Sequence, residues 1–292
     1  TCLSVSLSQV RSSHLSASRT ILNLQEKRRS AFFSVSLQNW KINNMTKIHV
    51  SVVQVNQEYI EQHFDELVER LYPERKSRVL AFRRWEPAYT SIIAGLLLQT
   101  LVEEKLGIHP QALVLEKNEN GKPTVQGHPE FYFNLSHAGD YVVLAHGDVP
   151  LGVDIEQIRT QNLHVAKRCY TEAEYAYVAG ADSEENQIGD ISEENHEMNI
   201  ETDMLQPDTS MDINDRFFYL WTMKESYLKL TGDGISVPLN SFEVDPYRQT
   251  VKGTLYRYSM QRMDDYWISV CTGENCEVVY DYRTGNEFGD SC

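Results

Sequence analysis

Apolar and polar residues alternate from Ile48 to Val55, which predicts a first β-strand. Helical spacing follows over Gln57 to Arg70 and Pro73 to Phe82, and Glu86 to Leu106 reads as a long apolar helix ending at Gly107. Short alternating runs then predict strands at Leu113 to Lys117, Phe131 to Leu135, Tyr141 to His146 and Leu151 to Glu156. Turn signals at Asn120-Gly121, Gly139-Asp140 and Gly147-Asp148 separate them. Thr171 and Glu174 have the spacing of a capping box, opening a helix toward Ala179. A helix around Trp221 leads through Gly232-Asp233-Gly234 into strands near Phe242, Tyr256 and Ile268. Helices followed by a meander, in each half, predict an α+β fold rather than a doubly wound sheet.

Charge changes this picture at two places. The net charge of −15 is local: Asp182 to Asp215 holds twelve acidic residues and no Lys or Arg. Such a stretch cannot offset its own ordering entropy and is expected to be a disordered insertion at 182–215. Residues 1–44 carry Arg11, Arg19, Lys27, Arg28, Arg29 and Lys41 against the single acid Glu26. They are expected to be an extension that is disordered or not part of the native protein, with a transit peptide as the alternative. That leaves an N-terminal half at 45–150, a C-terminal half at 151–281 and a tail at 282–292. Neither the charge map nor the apolar runs suggest a nucleic-acid surface or a bilayer span. The five cysteines have no zinc spacing and no dense framework, which favours a reducing compartment, the cytoplasm.

Two segments carry chemistry. Leu151-Gly-Val-Asp154-Ile-Glu156 is a strand with both carboxylates on one face, suited to a metal. On the helix Trp221-Thr-Met-Lys224-Glu225-Ser-Tyr-Leu-Lys229, residues 221, 225 and 229 share a stripe, adding a third carboxylate and a cation. A solvated edge face and an ordinary i, i+4 surface ion pair are the other readings of these residues. Lys224 either stabilises the helix or touches phosphate.

Together with Gly121-Lys122-Pro123 and Phe133-Asn134-Leu135-Ser136-His137, these segments resemble, in order and approximate spacing, the 4′-phosphopantetheinyl transferases of the longer, surfactin-synthetase-activating type. The similarity runs from about Met45 to Val270. It implies a pseudo-twofold pair of α+β halves, with coenzyme A and Mg²⁺ in the cleft between them. The implied reaction is transfer of the 4′-phosphopantetheine arm to a serine of an apo acyl or peptidyl carrier protein, releasing 3′,5′-adenosine bisphosphate. The chain would complete its own cleft as a monomer.

The resemblance also implies roles. Asp154, Glu156 and Glu225 match the metal positions, and oxygen donors suit magnesium. Lys229 would neutralise charge on the phosphoryl group, and Glu225 is the candidate base for the serine proton, a role that competes with metal binding. Ser136 and His137 match a phosphate-contacting pair. Lys122 resembles a lysine near the adenosine phosphates, and Arg75 and Arg78 lie where basic residues meet the 3′-phosphate. The chain departs from many relatives in having no basic residue between Ala88 and Gln99. A magnesium-dependent phosphodiester or nucleotide hydrolase, and a non-catalytic coenzyme A-binding protein, are the alternatives.

Overall fold

The structure, a computed structural model, describes residues 45–119, 121–180 and 211–288. Strand β1 (Thr46–Gln54) alternates as its sequence demands: Ile48, Val50 and Val52 face one way and Val53 the other, all buried. Two short helices follow, α1 (Gln57–Gln62) and α2 (Phe64–Arg70), where the sequence predicts one. His63 breaks it, with φ −117° and its ring stacked on Tyr59. Helix α3 (Pro73–Leu80) then starts on a proline, which has no amide to lose at a helix N-terminus. Helix α4 (Trp85–Leu106) is buried along most of its length and stops, as predicted, at Gly107 in the left-handed region.

The hairpin β2 (Leu115–Lys117) and β3 (Pro123–Val125) leads into β4 (Tyr132–Ala138) and β5 (Tyr141–Gly147). One sheet has the order β11-β1-β5-β4, where β11 is Cys276–Thr284. Helix α4 covers one face of it, packing Ile92, Ile93 and Leu96 with Val53, Phe133, Val142 and Leu144.

The second half repeats the plan. It begins with β6 (Leu151–Gln157), then α5 (Leu163–Cys169), α6 (Glu172–Ala179) and the long α7 (Ile213–Thr231). Strands β7 (Val244–Asp245), β8 (Thr250–Val251), β9 (Arg257–Met263) and β10 (Tyr266–Thr272) complete a sheet of order β6-β10-β9-β8-β7. Phe217, Phe218, Leu220 and Met223 of α7 build its core with Tyr170, Tyr177 and Val251. A third cluster joins the two sheets, with Ile48, Val50, Val143 and Ala145 together with Leu151, Val153, Ile155 and Ile268. The α+β class and the two similar halves are as expected.

The boundaries differ in two ways. β11 pairs parallel with β1, Thr46 opposite Cys276 and Gln54 opposite Thr284, so the second half returns its last strand to the first sheet. The tail expected from 282 therefore begins inside a strand. The acidic stretch also ends earlier than its composition suggests. Asp212 caps α7 by accepting from the Asn214 and Asp215 amides, and Asp215 pairs with Arg262. Residues 1–44, Asn120, 181–210 and 289–292 lie outside the described residues, with the extension, most of the insertion and the end of the expected tail. Among the described residues no helix is long and apolar enough to cross a membrane.

The capping box forms as predicted, and Glu174 does more than cap. It is buried with Lys224, 2.7 Å away, and also accepts from the Val244 amide. The Lys224 ammonium is completed by the carbonyls of Leu239 and Phe242. The charge of Lys224 is thus satisfied inside the second core by α6 and by carbonyls beyond α7, rather than within its own helix.

Candidate functional site

β4 and β6 run side by side where the halves meet, yet belong to different sheets. Side chains of the first half bridge them. The Leu151 carbonyl accepts from Lys122 Nζ at 2.7 Å, the Val153 amide donates to Asn134 Oδ1 at 2.9 Å, and the Ile155 amide donates to Ser136 Oγ at 3.3 Å. Alternate residues of a strand direct their main-chain groups to the same edge, so this is a ladder built from side chains.

Asp154 lies at this seam, 3% exposed. Its Oδ1 accepts from Lys229 Nζ at 2.6 Å and from Ser136 Oγ at 2.9 Å, and Lys229 also donates to Ser136 Oγ at 2.7 Å. Asp154 Oδ2 is buried and, among the described residues, has no hydrogen-bond partner. A buried carboxylate oxygen left unsatisfied is costly and marks a place where a ligand can act.

Glu156, two residues along the same face, accepts from Trp221 Nε1 at 3.2 Å and faces Arg159 at 3.8 Å. Burial, and then the charge of Asp154, push its carboxyl up to about 7. Glu225 is raised as well, by burial first and Asp154 second. The predicted stripe of α7 therefore faces β6: Trp221 reaches Glu156, Lys229 reaches Asp154, and Glu225 feels the Asp154 charge.

On the other side of β4, His137 faces a pocket of about 160 Å³ lined by Arg75, Arg78, Phe82 and Ser91. Burial lowers the imidazole pKa, helped by the nearby charges of Lys229, Arg78 and Arg75, so the ring favours its neutral form. Arg75 lies across α4, donating to Tyr72 Oη at 3.0 Å and Ser91 Oγ at 3.4 Å. Gly95 makes room for it, since a Cβ there would stand 2.7 Å from Arg75 Cγ. A mid-helix glycine costs roughly 1 kcal/mol against alanine, so its presence was a signal available in the sequence.

The structure thus brings together Ser136, Asp154, Glu156, Glu225 and Lys229, with Arg75, Arg78 and His137 adjoining. Two of the expected ligands are otherwise engaged. The Ser136 hydroxyl donates to Asp154 and accepts from Lys229 and the Ile155 amide. Lys122 does not line the arginine pocket and is spent on carbonyls. Asn134 was missed, although a polar residue two before Ser136, between Phe133 and Leu135, marks the same buried face.

Among the described residues no three His, Cys, Asp or Glu side chains close on one point. What closes on Asp154 is the Lys229 ammonium. The donor set nevertheless fits a hard cation. One carboxylate oxygen lacks a partner, and two neighbouring carboxyls are held toward protonation by burial and by Asp154.

A pH dependence follows for the metal-free protein. Glu156 keeps its proton in the folded state up to about pH 7, against an ordinary value of 4.5. The folded state binds the extra proton between these values, so this contribution is full below 4.5 and lost as pH rises through 7. With chelator present, the Tm advantage of Glu156→Gln over the unsubstituted chain is expected to grow across that window in thermal melts. A difference that stays flat would contradict the burial of this carboxyl.

Two family sequence models match. One described as 4′-phosphopantetheinyl transferase, N-terminal, covers residues 58–148, and one described as 4′-phosphopantetheinyl transferase superfamily covers 150–271. The break between them falls just before β6. Among curated proteins, the 4′-phosphopantetheinyl transferase psf-1 of Bacillus pumilus is 32% identical over 60% of this chain and 65% of its own. The 4′-phosphopantetheinyl transferase gsp of Aneurinibacillus migulanus is 27% identical over 77% of this chain and 86% of its own. The L-aminoadipate-semialdehyde dehydrogenase-phosphopantetheinyl transferase of Rattus norvegicus is 26% identical over 68% and 60%. The match to psf-1, like that to the Sfp protein of Bacillus subtilis (strain 168), spans 65% of the relative's length, just under two thirds.

Proposed function

This chain belongs to the 4′-phosphopantetheinyl transferase superfamily, and we propose that it moves the 4′-phosphopantetheine arm of coenzyme A onto a serine of an apo acyl or peptidyl carrier protein. The observation that carries this reading is Asp154, clasped on one oxygen by Lys229 and Ser136 and unpartnered on the other, beside an arginine-lined pocket.

The serine oxygen forms a bond to the phosphorus that bears pantetheine. The bond from that phosphorus to the bridging oxygen breaks, and 3′,5′-adenosine bisphosphate leaves. Asp154, Glu156 and Glu225 would hold Mg²⁺, which when bound supplies charge neutralisation at the pyrophosphate. Arg75 and Arg78 bind phosphate at the nucleotide end, where a guanidinium makes paired charge-assisted hydrogen bonds. Neutral His137 donates one N–H to a phosphate oxygen. The Lys229 ammonium stabilises the charge growing on the transferred phosphoryl group. Glu225 is also the candidate to take the serine proton, a role that competes with its holding the cation. On the same reading the protein acts as a cytoplasmic monomer, without nucleic acid or membrane.

The test is intact mass of a panel of apo carrier proteins after incubation with the chain, coenzyme A and Mg²⁺, with and without chelator. A magnesium-dependent phosphopantetheine adduct is expected. Carrier-independent cleavage of coenzyme A would replace this reading with the hydrolase. Binding of coenzyme A without cleavage or adduct would replace it with a binding protein.

Arg75 and Gly95 give a second expectation. Arg75→Ala should raise the KM for coenzyme A by about tenfold while leaving kcat within about twofold, the pattern of a contact remote from the reacting atoms. Gly95→Ala should act in the same direction by displacing Arg75, and should also lower stability, because the new Cβ would stand 2.7 Å from the buried Leu71 Cδ2 as well as from Arg75 Cγ. Steady-state kinetics decide it, and an equal fall in kcat would move Arg75 into the chemical step.

A further inference from the structure

We propose that Lys122 is a positioning residue, whose ammonium clamps the start of β6 to the last turn of α7 and so sets Asp154 against Lys229. Lys122 follows Gly121, at φ 82°, in the turn between β2 and β3. Its amide is held by Asn118 Oδ1 at 2.9 Å, and its carbonyl accepts from the Asn118 amide at 2.9 Å, so the side chain leaves a fixed base. Nζ then crosses into the second half, reaching the Leu151 carbonyl at 2.7 Å and the Leu230 carbonyl at 3.4 Å.

Both acceptors need it. Leu230 lies in the final turn of α7, where carbonyls have no further helical amide to bond. A cation there also meets the negative end of the helix dipole. Leu151 opens the edge of β6 that Asn134 and Ser136 continue at Val153 and Ile155. Asp154 and Lys229, which touch at 2.6 Å, stand three residues after Leu151 and one before Leu230. One ammonium therefore fixes both elements beside that contact.

The alternative, a ligand for the nucleotide phosphates, needs an ammonium free to face an anion. Lys122 instead has its ammonium on two carbonyls, and burial lowers its pKa to about 8.

The catalytic arm of the test rests on the proposed transfer; the other two arms do not. Lys122→Met removes the donor, whereas Lys122→Gln keeps an N–H donor without the charge. In the full chain, Lys122→Met is expected to speed hydrogen exchange in residues 151–155 and 228–232 by about tenfold, as local opening becomes easier. The Kd for coenzyme A should stay within about threefold, and kcat should fall by about tenfold. Lys122→Gln should recover most of the protection and the rate. Wild-type exchange together with a tenfold or greater loss of coenzyme A affinity in both variants, on the order expected for a lost phosphate contact, would overturn the clamp. If the methionine variant does not fold, the glutamine variant decides: near-normal affinity and protection support the clamp, and tenfold weaker binding at normal protection, again the phosphate-contact magnitude, refutes it. If the unsubstituted chain modifies no carrier, the transferase reading fails while the exchange and affinity comparisons still test Lys122.

Discussion

Asp154→Ala is expected to lower kcat by about three orders of magnitude while the fold survives, the scale of losing a preorganised charge from a water-poor site. The carboxylate organises everything around it. Without it, Lys229 and Ser136 lose their shared acceptor, and the proposed cation site loses the carboxylate that both of them hold. Stability should change little because two effects oppose. The Lys229 ion pair disappears, but so do an unsatisfied buried oxygen and the repulsion felt by Glu156 and Glu225. The check is turnover with Mg²⁺ alongside a thermal melt. Turnover at the unsubstituted rate would remove Asp154 from the metal site, and a collapse in Tm would make it a structural residue.

Gly152→Ala should be the most damaging of the small substitutions. A Cβ at 152 would stand 2.0 Å from the Ser226 carbonyl oxygen and 2.5 Å from the Leu230 amide nitrogen. Both are main-chain atoms of α7, so no rotamer change relieves the overlap and the helix must lift off β6. Overpacking against backbone costs roughly 3 kcal/mol or more. In a protein of this size that is a Tm loss of about 10 °C. Ser226 and Leu230 each directly follow a site residue, Glu225 and Lys229, so the same movement carries both away from Asp154. Activity should therefore be lost even under conditions where the variant folds. A melt within about two degrees of the unsubstituted chain, where a clash of this kind predicts about ten, would show that α7 and β6 are less closely packed than described.

The sequence was most readable where one element decides its own pattern. The run from Glu86 to Leu106 with its glycine stop, the Thr171–Glu174 box and the alternation at Leu151 to Glu156 all follow from local spacing. The stripe of Trp221, Glu225 and Lys229 was legible because helical geometry alone puts those residues on one face. What local spacing cannot carry is a partner distant in the chain. β11 alternates as a strand does, with Cys276, Val278 and Tyr280 on one face and Glu277, Asp281 and Arg283 exposed on the other, but its place beside β1 is a tertiary fact. Lys122 sits in a short turn whose neighbours give no hint that its ammonium reaches Leu151 and Leu230. The end of the acidic stretch was misplaced because Asp212 and Asp215 belong by charge to the insertion and by hydrogen bonding to α7.

The pairing of β1 with β11 bears on how the protein is made. The two strands are parallel neighbours, yet the entire second half is synthesised between them. Emerging from the ribosome, β1 can find β5 early, but its other edge has no partner until Thr284 has been added. Closing so non-local a contact is intrinsically slow, and an open strand edge is a template for foreign chains in the interval. The first half thus cannot finish its sheet until β11 has been made, and the yield of native protein becomes a race between the arrival of β11 and capture of β1 by a neighbouring nascent chain.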